Sequence, residues 1–147
     1  MKKTILSLLM LICATVANAN DYNASQETLR KDISTFLQHK GYKPENQDDG
    51  LKFKSEGFIY FIEISDSNTD PMYLRLCMYL NYGKNLTREK ALQNLNDYNV
   101  RFGVKTTCLE KYLLISAEMF VGKSSEFTDV FDELLSQVKG TYDLINE

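Results

Sequence analysis

The chain has 147 residues, 44% of them hydrophobic and 12% aromatic, enough for one domain with a packed core. Charged residues make up 25%, and the formal net charge is −3, which excludes a disordered chain and a basic nucleic-acid binder. The cysteine spacing matches no zinc pattern and no CxxC redox motif.

The first residues read as a targeting segment. Lys2 and Lys3 form a basic start, Ile5 to Val16 an apolar run too short to span a bilayer, and Ala17-Asn18-Ala19 a small-residue cleavage site. We expect a signal peptide over residues 1–19 and a mature domain over 20–147, periplasmic or secreted. The rival is a lipoprotein signal built on Cys13, where Ile12 is bulky at a position that wants a small residue. Removing 1–19 leaves 15 basic against 20 acidic residues, a mature charge of −5. That charge disfavours nucleic acid and anionic lipid as partners.

Ser25 to Lys40 carries Leu29, Ile33, Phe36 and Leu37 on one stripe and stops at Gly41, so it predicts a helix. Asn23, ahead of it, is placed to cap it. Pro44 and the polar run 45–50 predict a loop. Leu51 to Ser55 alternates apolar residues with lysines and predicts a strand near an edge. Phe58 to Ile64 is apolar on both faces except at Glu63, which predicts a central strand. Met72 to Leu80 predicts a long strand, with Leu74, Leu76, Met78 and Leu80 on one face and Tyr73, Arg75, Cys77 and Tyr79 on the other.

Thr87 is the expected N-cap of a middle helix, with Leu86 and Ala91 forming a hydrophobic staple. Leu92, Leu95, Tyr98, Asn99 and Phe102 continue at helical spacing to Gly103, with Phe102 the expected core anchor. Val104–Leu109 and Tyr112–Val121 predict a strand pair turned at Glu110-Lys111. Ser125 to about Asn146 predicts the last helix, with Gly140 as a weak point. The expected class is α+β, in the order α-β-β-β-α-β-β-α, with a five-stranded, mainly antiparallel sheet covered by helices.

This order, together with Asn96, Asn99, Arg101 and Phe102 ahead of a strand pair and Val121-Gly122-Lys123-Ser124 before the last helix, resembles the YbjN family of bacterial proteins. That family is often labelled a sensory transduction regulator. Its domain is similar in fold to class I type III secretion chaperones. The resemblance runs from about Leu29 to Ile145 and implies that fold with a non-enzymatic binding role.

Residues that carry chemistry are few. His39, the single histidine, lies in the last turn of the first helix, where a partly positive imidazole suits the helix dipole. Asp66-Ser67-Asn68-Thr69-Asp70 starts like a calcium loop, but Pro71 and Cys77 stand where the pattern needs Gly and Glu, so it reads as a turn. Cys77 and Cys108 are disulfide candidates in an oxidising compartment, and each also reads as a small hydrophobe within a strand. There is no nucleophile elbow and no phosphate loop, and we expect no catalytic, cofactor or metal residues. Glu63 and Glu118 are the carboxylates in apolar settings. Glu63 reads either as a perturbed acid or as a group facing water at a strand end.

Tyr73, Arg75 and Tyr79 share a strand face, with Tyr60 expected near them from the neighbouring strand. Tyrosine and arginine are enriched at interaction hot spots. These four residues are therefore the candidate partner surface, for a protein, a peptide or a second copy of the chain. The opposing expectation is that the middle helix covers the face. The sequence thus points to an exported binding or assembly module. Its alternative is a ligand-binding sensor or small enzyme using pocket carboxylates.

Overall fold

The computed structural model describes residues 23–67, 69–100 and 103–146. The expected signal peptide, Asn68 of the expected turn, and Arg101 with the expected anchor Phe102 lie outside them.

Helix α1 (Ala24–His39) begins in a full capping box. The Asn23 side chain accepts from the Ser25 and Gln26 backbone amides at 2.9 Å each, and the Gln26 side chain accepts from the Asn23 amide at 2.8 Å. Leu29, Ile33 and Leu37 are buried, as their spacing predicts. Gln26 is buried too. Its Nε2 donates to the backbone oxygens of Ser65 (2.5 Å) and Ser67 (3.2 Å), which pins the helix start to a turn of the sheet.

The sheet has six strands, one more than the pattern predicts: β1 (Glu45–Gln47), β2 (Gly50–Ser55), β3 (Phe58–Ile64), β4 (Met72–Asn81), β5 (Val104–Cys108) and β6 (Tyr112–Val121). Their spatial order is β1-β2-β3-β4-β6-β5, and every pairing is antiparallel. The added strand β1 is three polar residues in the expected loop, recruited by backbone pairing to β2 rather than by an apolar face. Gly50 ends its turn under a steric demand. A Cβ there would lie 1.9 Å from the Ile62 carbonyl oxygen.

The middle helix is two short ones, α2 (Arg88–Gln93) and α3 (Leu95–Tyr98), with the break at Asn94. Thr87 caps α2 as expected, its hydroxyl accepting from the Lys90 amide at 3.2 Å. Ala91 and Tyr98 face the core, whereas Leu92 is exposed, so the break rotates the stripe that a continuous helix would present. Asn99 then bridges to β5. Its Oδ1 accepts from the Thr106 amide at 2.5 Å, and its Nδ2 donates to the Thr106 carbonyl at 3.2 Å. The last helix is likewise two, α4 (Ser124–Thr128) and α5 (Phe131–Asn146). The break between them lets Phe127 and Phe131 both reach the core fully buried, and α5 runs on through Gly140.

The core lies between the helices and one sheet face. Phe131 is its aromatic node, with ring centroids 5.3 Å from Phe36, 5.7 Å from Phe127, 5.9 Å from Phe53 and 6.0 Å from Tyr42. Leu51, Ile62, Leu74, Leu76, Leu113 and Ile115 complete the sheet side. No helix among the described residues is long and apolar enough to cross a membrane.

Candidate functional site: the open face of the sheet

Because side chains alternate across a strand, the residues between the core positions point away from the helices. Tyr73, Arg75, Cys77 and Tyr79 alternate with the buried Leu74, Leu76 and Met78 and so form the second face, as expected. Among the described residues the middle helix does not cover this face. The buried residues of α2 and α3, Ala91 and Tyr98, join the core on the other side.

Tyr60 is a correction. Phe61 stands opposite Cys77, so Tyr60 faces the core, fully buried and stacked on Phe53 with centroids 5.5 Å apart. The positions that join the open face from β3 are Ile59, Phe61 and Glu63. The disulfide is also corrected. Cys77 stands opposite Ser116 on the open face, and Cys108 stands opposite Leu113 on the core face. The sheet itself separates the two sulfurs, and both cysteines are free.

At the centre of the open face a row crosses three strands: Glu63 on β3, Arg75 opposite it on β4, and Glu118 opposite Arg75 on β6. Glu63 is the hub. Its Oε2 accepts from Arg75 Nε, and its Oε1 accepts from the Tyr79 hydroxyl at 2.5 Å and from the Cys77 thiol at 3.4 Å. It is only 9% exposed, so it is not the water-facing group expected, and both of its oxygens accept hydrogen bonds. Glu118 accepts from the Ser116 hydroxyl at 2.9 Å and lies 4.0 Å from Lys105 Nζ.

The electrostatics follow from this packing. Burial pushes the Cys77 thiol well up, reinforced by Glu63, which keeps it protonated at neutral pH. Burial and the hydrogen bond to Glu63 raise the Tyr79 phenol, and burial with a bond to Glu118 raises Tyr73 to about 12. Desolvation works against the charge on Arg75, but the adjacent Glu63 carboxylate outweighs it and raises the guanidinium further.

Aromatic residues flank the row on both sides along the strands. On one side Tyr73 packs edge-on to Phe120 at 5.5 Å. On the other Phe61, Tyr79 and Tyr112 form a run, each ring nearly perpendicular to the next. Phe120 is 63% exposed, Ile59 43% and Tyr112 39%. Two open depressions flank Glu63. One of about 520 Å³ is lined by Gln47, Asp49, Ile59, Phe61, Glu63, Tyr79, Asn81 and Tyr112. The other, of about 320 Å³, is lined by Asp49, Glu63, Ile64, Ser65, Asp66, Tyr73 and Arg75.

Sequence reasoning missed Glu63, Phe61, Tyr112 and Phe120 as members of this face. The β3 members follow from register: positions 59, 61 and 63 share this side because Phe61 is set against Cys77. Among the described residues, no group of three or more His, Cys, Asp and Glu could hold a metal ion. His39 sits exposed in the last turn of α1. No protein-family model matches the chain, and no curated protein matches it.

Proposed function

We propose that this chain is an exported, non-enzymatic binding or assembly module of YbjN-like fold, and that a protein or peptide partner meets it on the open face of the sheet. The observation that carries this reading is the sidedness of the sheet. The described helices that bury apolar side chains against it do so on one face. The other face presents exposed aromatic residues around a pre-organised Glu63–Arg75–Glu118 row. Large rigid aromatics with a central arginine are the composition of interaction hot spots. Two features of the hub support a non-catalytic role: its carboxylate already accepts three hydrogen bonds, and its thiol is held protonated. The targeting pattern of residues 1–19 supports export, and the Asn96, Asn99, Arg101, Phe102 pattern supports the family resemblance.

The residues that best test this are at the rim. Removing Arg75 or Tyr79 would strip partners from a buried carboxylate and damage the fold itself. Phe120→Ala with Tyr112→Ala removes two exposed rings instead. Light scattering and partner pull-down of the exported protein, beside thermal melting, should show association lost and melting unchanged. Association unaffected by the double variant would sink the proposal.

A further inference from the structure

We propose that the larger depression beside Glu63 receives the side-chain cation of a basic segment in a partner protein. This rests on the reading of the open face as a docking surface and names the chemistry of its partner. Three rings and two carboxylates line the depression. Phe61 and Tyr79 lie 5.4 Å apart with an interplanar angle of 82°, and Tyr79 and Tyr112 lie 6.0 Å apart at 79°. Successive perpendicular rings give walls of different orientation, so π faces and edges both border the space. A cation over a ring face is attracted by the ring quadrupole, and a nearby carboxylate adds to that attraction. Asp49 and Glu63 both line the depression; Arg75 balances the charge of Glu63, so Asp49 supplies the free negative charge and Asn81 a further polar group.

No lysine or arginine lines this space among the described residues. Arg75, which neutralises Glu63, lines the smaller depression on its far side. Two lysines of β2 share this side of the sheet. Lys52 stands opposite Phe61 and Lys54 opposite Ile59. Lys52 is bound by Glu45 at 2.5 Å, and both lysines lower the pKa of Glu45. A volume of about 520 Å³, open to solvent, admits a flexible side chain with its charged tip, and the net charge of −3 favours the approach of basic segments.

The experiment is a titration of the isotopically labelled domain, followed by NMR, with three probes at low salt. These are an acetylated and amidated Gly-Ser-Lys-Ser-Gly peptide, the same peptide with norleucine in place of lysine, and free butylamine. The lysine peptide should shift the amide signals of Phe61, Tyr79 and Tyr112, and the norleucine peptide should not. Tyr112→Ala and Asp49→Asn, both at exposed positions, should each weaken the lysine peptide about threefold to tenfold while leaving the remaining spectrum in place. Equal shifts from the norleucine peptide, or none from the lysine peptide, would overturn the inference. Butylamine binding as tightly as the peptide would overturn the partner segment in favour of a small amine. If the lysine peptide fails while Phe120→Ala with Tyr112→Ala still abolishes association, the docking face stands and only its cation chemistry falls. If that double variant also has no effect, the docking face falls too.

Discussion

Arg75 and Glu63 stand directly opposite each other on adjacent strands and are joined through Nε and Oε2 on a face that no described helix covers. The pair lies within the surface layer of the sheet. Tyr79 and Cys77 close over the carboxylate from the same strand as the arginine, so one strand supplies all three of its donors.

Arg75→Met should therefore destabilise the fold. It leaves a nearly buried carboxylate without its charged partner, although 30% exposure of the arginine side chain softens the loss to about 2 kcal/mol. Glu63→Leu in the same chain should recover most of this. Urea denaturation of the two single variants and the double variant gives the coupling directly. Additive losses would show that the pair is not coupled.

Alkaline pH should unfold the protein through its tyrosines. Tyr60 and Tyr73 are raised to about 12 from 10.0, and Tyr79 is raised as well, so the folded state favours the protonated phenols. Their contribution to stability is complete below pH 10. It is lost as pH climbs through 12, because the unfolded chain ionises first. Absorbance titration of tyrosinate should run together with loss of circular dichroism in that window. Tyr79→Phe should make the fall in stability shallower.

The two cysteines should differ in reactivity. Cys77 is fully buried with its thiol raised, whereas Cys108 is partly accessible on the other face. Alkylation of the native protein, followed by peptide mapping, should label Cys108 first and Cys77 only on unfolding. Mass analysis without reductant should find no bridge between them.

Phe131→Ala should cost about 3–5 kcal/mol, because the ring is fully buried and meets four other aromatic rings. Thr106→Val should move stability the other way. The Thr106 hydroxyl is buried and has no hydrogen-bond partner among the described residues, so replacing it with a methyl should add about 1 kcal/mol. Thermal melting of both variants checks the opposite signs.

The α+β class and five of the six strands were legible in the sequence, because Met72 to Leu80 and Tyr112 to Val121 alternate strongly and turn residues separate the segments. Strand β1 was not, since three polar residues carry no periodicity and pair only through backbone. The two helix breaks were also hidden. At Asn94 and at Asp129-Val130 the spacing of apolar residues continues, and tertiary packing of Tyr98, Phe127 and Phe131 decides where the chain bends. The half of the candidate face on β4 was readable from alternation alone. The half on β3 was not, because that strand is apolar on both sides and hydrophobicity cannot fix its parity. Tyr60 consequently belongs to the core, and Glu63, read alone, gave no hint of its three donors.

The Asn99 amide occupies the outward N–H and C=O of Thr106, in the middle of the terminal strand β5. At the opposite border the sheet stops with the three residues of β1. One margin is thus plugged by a side chain imitating a neighbouring strand, and the other is too short to template one. Growth of the sheet by strand donation is disfavoured at both borders, so these molecules should resist stacking side by side into fibrils. A partner of the proposed kind would then meet the broad plane between the borders, where side chains rather than main-chain hydrogen bonds would choose it.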